Sequence, residues 1–246
     1  MSAAIRLEHV SKSFGDRRVL DDVSFAVEAG HGLGILGRSG TGKSVTLKHI
    51  VGLVKPDRGH VYVEGTDITS LGSGGLTPIR RRMGFVFQNG ALFDSISVGE
   101  NVAFVLRRHT RMSEREIRKA AGERLERVGL ERDYDKMPAA LSGGMRKRAG
   151  LARAMALDPP ILLVDEPSAG LDPITSDEID DLLLALKRAT GTTLVIVTHN
   201  MPSARKLADS FLMLHEGRVL AAGAAAEFEK NDHPLVQAFM HSTHAG

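Results

Sequence analysis

Three short runs in this chain combine residue types and spacings that suit phosphate chemistry. Gly37-Arg38-Ser39-Gly40-Thr41-Gly42-Lys43-Ser44 matches G-x-x-x-x-G-K-[ST], with an apolar run before it and a helical pattern after it. Its glycines let backbone N–H groups turn inward on phosphate oxygens, and the helix start adds positive potential. In such a loop the Lys43 ammonium reaches the β- and γ-phosphates of a nucleotide, and the Ser44 hydroxyl ligates Mg²⁺. Asp165-Glu166 directly follows Ile161-Leu162-Leu163-Val164, so the pair stands at the carboxyl end of a buried strand, where α/β folds place ligands. Alone, the pair would read as a solvated loop. With the phosphate loop upstream, Asp165 suits the second shell of a phosphate-bound magnesium and Glu166 a base that orients the attacking water. Leu141-Ser142-Gly143-Gly144 opens a basic helix. Ser142 suits its cap, and the helix start favours an anion.

The elements that must position these residues follow from periodicity. Ile5 and Leu7, then Val23, Phe25 and Val27, alternate as half-buried antiparallel strands do. Leu33 to Leu36 is a short apolar strand leading into the glycine loop, and Val45 to Leu53 reads as a helix. Val61 to Val63 and Met83 to Phe87 read as further strands. From about 90 to 140 the pattern turns helical, with Ser113 and Glu116 forming a capping box for a helix to about Val128. Gly144 to Leu157 is a second, basic helix, and Ile161 to Val164 is apolar throughout, as a buried parallel strand is. Asp172 caps the next helix with Pro173 at its first position, and Leu182, Leu183 and Leu186 line its buried side. Thr193 to Val197 is another buried strand, and Phe211 to Ala221 reads as a hairpin turning at Glu216-Gly217. The expected organisation is one domain over 1–246. Its α/β core, a mainly parallel sheet plus N-terminal antiparallel strands, spans 1–89 and 141–222. A helical insertion covers 90–140 and a tail covers 223–246.

Composition narrows the function classes. A chain of 246 residues with 42% hydrophobic content can bury a sizeable core. A formal net charge of +2 is too small to argue for a polyanion partner. The triplets Arg80-Arg81-Arg82 and Arg146-Lys147-Arg148 lack neighbouring aromatics in a chain only 4% aromatic, so they read as solvated faces and not as a nucleic-acid surface. No apolar run approaches the roughly 20 residues that span a bilayer, and the charged N-terminus lacks the apolar centre of a secretion signal. Without cysteine there is no disulfide framework and no thiolate site. His233, His241 and His244 lack metal-ligand spacing and read as solvated tail residues.

The order of these motifs resembles the ATPase subunit of ATP-binding-cassette (ABC) transporters over nearly the whole length. Leu141-Ser142-Gly143-Gly144 decides it, because it resembles the family's signature, which other phosphate-loop ATPases lack. The resemblance implies ATP and Mg²⁺ as cofactors. It also implies a dimer in which Ser142, Gly143 and Gly144 of one copy meet the γ-phosphate bound to its partner. Further matches follow singly. Phe14 resembles the aromatic that stacks on adenine, although a strand-end core residue would look the same. Gln88 resembles the glutamine that contacts Mg²⁺ and the membrane partner. Ser168-Ala169-Gly170-Leu171-Asp172 resembles the loop that crosses the dimer interface, and His199 resembles the histidine that senses the γ-phosphate.

Met145 departs from the commonest signature, which has glutamine there, and a thioether cannot reproduce the amide's hydrogen bonds. The departure resembles the lipid-transport branch, the maintenance-of-lipid-asymmetry (Mla) and mammalian-cell-entry (Mce) systems. Gln88 to Ser95, Val98 to Val105 and Gly170 to Ser176 are similar to that branch too. The resemblance therefore implies a separately encoded permease with a lipid-binding subunit, and attachment at the cytoplasmic face of the inner membrane. Two alternatives stay open: another transport branch, such as nutrient import or lipoprotein release, and a soluble ABC ATPase of DNA repair or translation.

Overall fold

Alternating apolar residues near the N-terminus form a long hairpin. In the computed structural model, which describes residues 3–88 and 90–241, β1 (Ala3–Phe14) and β2 (Arg17–Glu28) pair antiparallel. Ile5, Leu7, Val23 and Val27 are buried, while Arg6, Ser24 and Ala26 are exposed. The chain forms two compact units, Met1–Arg80 with Gly191–Gly246, and Arg81–Thr190.

The first unit continues with β3 (Gly32–Leu36), α1 (Lys43–Ile50), β4 (Arg58–Val63), β5 (Thr66–Asp67) and α2 (Ser73–Arg80). The strand order β2-β1-β4-β5 makes an antiparallel sheet. Helix α1 stops at Ile50 rather than Leu53. Gly52 takes a left-handed conformation after the helix, and Leu53 N–H returns to the Lys48 carbonyl, a common helix stop. Helix α2 was not legible in sequence, because Gly74, Gly75 and Pro78 lie within it and all three are poor helix formers.

The second unit holds β6 (Met83–Val86), α3 (Val98–His109), α4 (Glu114–Glu126), α5 (Gly143–Ala154), β7 (Ile161–Asp165) and α6 (Pro173–Thr190). The expected helical stretch 90–140 lies within it and carries α3 and α4. The capping box at α4 is present: Glu116 N–H donates to Ser113 Oγ at 3.4 Å, and Ser113 N–H donates to Glu116 Oε2 at 2.7 Å. That helix ends before Val128, where left-handed Gly129 lets Leu130 N–H close on the Leu125 carbonyl. Asp172 caps α6 as expected, accepting from Thr175 N–H at 3.0 Å. Strands β6 and β7 are parallel, with Val86 opposite Val164.

The chain then returns to the first unit with β8 (Thr193–Val197), α7 (Met201–Leu207), β9 (Ser210–His215), β10 (Arg218–Ala224), α8 (Ala225–Phe228) and α9 (Pro234–Met240). Strand β3 lies between β8 and β9, parallel to both, and β10 closes the edge antiparallel to β9. Residues after Gly223 are more than a tail. Phe228, Val236 and Met240 are buried in one cluster with Leu36, Met201, Phe211 and Met213, and the Phe211 and Phe228 rings meet edge-on at 5.6 Å. So few apolar residues at such wide spacing show no period, and only the exposed back of the sheet makes them core. His233 caps α9 by accepting from Leu235 N–H at 3.2 Å, and His241 is exposed. Asn89 and His244 lie outside the described residues.

Candidate nucleotide site

The phosphate loop is shaped by what surrounds it. Gly37 has φ 142°, and a Cβ there would come within 2.4 Å of the Leu214 carbonyl, so only glycine fits between β3 and β9. Gly42 is left-handed at φ 103° and starts α1 with no side-chain cap, and a Cβ would sit 2.5 Å from Leu20 Cδ2. A helix start without a side-chain cap is a ready anion site. Within the loop, Thr41 Oγ1 donates to the Arg38 carbonyl at 2.9 Å. Lys43 is only 7% exposed, and its Nζ donates to the carbonyls of Gly37 at 2.8 Å and Arg38 at 3.0 Å. The ammonium therefore holds the loop wrapped around its own position. Arg38, Ser39 and Gly40 are exposed and Ser44 is half-buried.

The same unit brings Phe14 and His199 to this loop. Phe14 ends β1 with half its surface exposed, so it is not a core residue, and Lys12 Nζ lies 5.5 Å from its ring centroid. Arg17, just past the turn, donates to the Gly40 carbonyl at 3.4 Å. Strand register places His199: Ile35 pairs with Val197, so Gly37 and His199 each lie two residues beyond a paired position, at the same end of neighbouring parallel strands.

In the second unit the register of β6 and β7 does the same for Gln88 and Glu166, each two residues past the pair Val86–Val164. Asp165 ends β7 and is 9% exposed. Glu166 has φ 48°, a left-handed backbone that is uncommon for non-glycine residues. Ser142 caps α5, accepting from Met145 N–H at 3.2 Å. Gly144 lies so close to α6 that a Cβ would fall 2.6 Å from Thr175 Cγ2.

Oxygen donors are what a magnesium ion held mainly by phosphates requires. The hydroxyl of Ser44 is such a donor in the first unit, and the amide of Gln88 and the carboxylate of Asp165 are such donors in the second. The described residues contain no cluster of three or more His, Cys, Asp or Glu suited to a metal ion.

The basic triplets are not uniformly solvated. Arg80 donates to the carbonyls of Val51 at 3.0 Å and Gly52 at 2.9 Å, completing the end of α1. Lys147 is 9% exposed, with Nζ 2.6 Å from the Ala169 carbonyl and 3.5 Å from that of Glu166. Burial pushes its ammonium down to about 8, opposed by the charge of Glu166. The signal was present in sequence, since Gly144, Lys147 and Leu151 fall on one helical stripe. Arg153 is a second residue that motifs missed: it donates to the carbonyls of Ala91 at 2.7 Å and Gly90 at 3.2 Å, fixing the loop that follows Gln88. Its burial lowers its pKa.

A strand-loop-helix bearing G-x-x-x-x-G-K-S beside buried parallel strands defines a phosphate-loop nucleoside triphosphatase core. Residues 20–169 match the family model described as ABC transporter, and the chain belongs to that family, as an ATP-binding subunit that hydrolyses ATP. It is 43% identical to the "Probable ribonucleotide transport ATP-binding protein mkl" of Mycobacterium leprae over 246 residues, covering all of this chain and 71% of that protein. It is 37% identical to the "Intermembrane phospholipid transport system ATP-binding protein MlaF" of Escherichia coli K12, over 96% of this chain and 88% of that one. Among solved structures, a dimeric ATP-binding cassette in a post-hydrolysis state with ADP and Pi superimposes with a TM-score of 0.84. That match is 37% identical and covers 89% of this chain and 98% of the other.

Replacing Lys43 with alanine removes a buried cation from the loop's carbonyls and from any phosphate that binds in the loop. One charge-assisted hydrogen bond contributes about 1.5–3 kcal/mol, so ATP affinity should fall at least tenfold in Lys43→Ala. Calorimetric titration with ATP measures it, and unchanged affinity would contradict the loop's role.

Proposed function

We propose that this chain is the motor of an envelope lipid transporter, hydrolysing ATP as a two-fold dimer to drive a separately encoded permease that works with a lipid-binding subunit. In this reading Phe14 stacks on adenine, while Gly37 to Ser44 wrap the phosphates. Ser44 and Gln88 would hold Mg²⁺, with Asp165 in its second shell, and the ion would neutralise phosphate charge. Glu166 accepts a proton from the attacking water, and His199 senses the γ-phosphate. Ser142, Gly143 and Gly144 of the second copy complete each site, consistent with the dimeric form of the solved relative.

The observation that carries the lipid reading is the similarity to a phospholipid-transport ATPase across 96% of the chain. Met145 is compatible with it: only its backbone N–H serves the Ser142 cap, so the cap does not depend on the side chain there. The ribonucleotide-transport name of the mycobacterial relative supports a polar cargo as the second reading. Among the described residues no helix is long and apolar enough to cross a membrane. Attachment to the cytoplasmic face of the inner membrane would therefore run through the permease.

A docking surface for that permease lies near Gln88. Phe93 and Phe104 are exposed and meet edge-on at 5.2 Å, an aromatic patch of the kind that anchors interfaces. Arg108 on α3 is exposed beside it in sequence, whereas Arg107 is held in ion pairs with Glu100 and Glu114.

Glu166→Gln keeps the residue's shape but cannot take up the proton. Turnover should drop by roughly 10²–10⁴-fold, the usual worth of a positioned base, with ATP binding retained and an ATP-bound dimer accumulating on size exclusion. Unchanged turnover would remove Glu166 from the chemistry. Phe104→Glu should lose the permease in co-purification from membranes while keeping ATP affinity, and an intact complex would place the docking surface elsewhere. For the cargo, the complete complex in liposomes should move labelled phospholipid only with ATP. ATP-driven movement of a ribonucleotide with lipid unmoved would keep the ATPase and discard the lipid assignment.

A further inference from the structure

The loop that follows β7 is bent into an unfavourable turn, and one side chain from α5 reaches into it. Glu166 is left-handed, and Ala169 N–H closes the turn on the Glu166 carbonyl at 3.2 Å. Strained backbone of this kind persists only where its surroundings over-determine it. Lys147 supplies that restraint, with Nζ bonded to the Ala169 carbonyl at 2.6 Å and reaching that of Glu166 at 3.5 Å. Both ends of the turn are thereby tied to a single buried ammonium.

The helix that carries Lys147 is itself fixed. Gly144 is flush against Thr175, leaving no room for a Cβ, and Arg148 pairs with Glu178 at 2.5 Å. Both contacts are to α6, which begins directly after the loop. Ser142, the cap of α5, lies five residues before Lys147, about one and a half helical turns away. A shift of the α5 start therefore has a direct bonded route to the Glu166 backbone.

We propose that Lys147 is a positioning residue for hydrolysis, holding Glu166 in its catalytic posture and tying that posture to the signature of the same chain. This rests on the reading of Glu166 as base and of Ser142 as the contact to the partner's nucleotide. In such a dimer Glu166 serves the chain's own site while Ser142 serves the other, and Lys147 lies on the bonded path between them. A side chain with more than one donor is needed here, because its acceptors are carbonyls at both ends of one turn, which a side chain with a single donor cannot bridge.

Lys147→Met keeps the aliphatic stem and deletes both bonds. Its kcat should fall by about 10²-fold, the usual cost of misplacing a catalytic group by an ångström, while KM and ATP affinity stay at wild-type values. Lys147→Arg, which keeps cationic donors, should recover part of the lost kcat. A wild-type kcat in Lys147→Met overturns the proposal. So does a loss that appears equally in ATP affinity and melting temperature without rescue by arginine, since that pattern marks a general structural role. If Lys147→Met does not fold, Lys147→Leu, which also has no donor, is read by the same criteria. Glu166→Gln measured alongside separates the two ideas. Turnover lost there but intact in Lys147→Met discards the Lys147 role alone, and turnover intact in Glu166→Gln discards both.

Discussion

Irregular backbone beside a buried core must have its carbonyls bonded, and in this protein cationic side chains meet that demand at one functional loop after another. Lys43 bonds the carbonyls of Gly37 and Arg38, Lys147 those of Ala169 and Glu166, and Arg153 those of Ala91 and Gly90. Arg80 closes the end of α1 in the same way. A cation partly removed from water must keep its donors bonded, and each of these does so with two carbonyls. Each cation therefore fixes two points of its loop, and two points define a posture where one would only tether.

Strand register does the rest of the placing. Parallel neighbours paired at Ile35–Val197 and at Val86–Val164 send their following residues out at the same end. Gly37 joins His199 there, and Gln88 joins Glu166. No side chain has to travel: each of these four residues is the first or second position after its strand. The backbone beyond those ends is free of sheet geometry, and that is why it can hold the left-handed turns at Gly37, Gly42 and Glu166.

Helix α5 gathers the consequences within its unit. Its start carries the signature, its second turn carries Lys147 and its far end carries Arg153. Gly150 approaches Gly90 so closely that a Cβ would meet its backbone at 3.0 Å. One rigid helix thus touches the loop after Gln88, the loop after Asp165 and its own signature cap. An ATPase that must do work on another chain needs such a member, because an element with few internal freedoms passes displacement along instead of absorbing it.

The amino-acid sequence by itself determined the chemistry. The phosphate loop, the Asp165-Glu166 pair, the Ser142 cap, the capping box at Ser113 and the buried strands are local patterns, each written in consecutive or near-consecutive residues and so readable without a fold. The sequence also made α5 legible as a helix. What it left undecided depends on distant partners. Helical spacing puts Lys147 on the stripe of Gly144 and Leu151, but what it bonds is silent until Ala169 and Glu166 are found beside it, as Arg153 is until the loop at Gly90 lies against its helix. Phe228, Val236 and Met240 look like tail residues until Phe211 offers a face to cover. Helix α2 forms despite its glycines and proline, with Leu76 buried. The left-handed turn at Glu166 has no local signal either, because glutamate does not prefer it. Propensity acts over a few residues, whereas burial, desolvation and carbonyl pairing act across the fold, so only the tertiary structure could decide where these charges and apolar groups went.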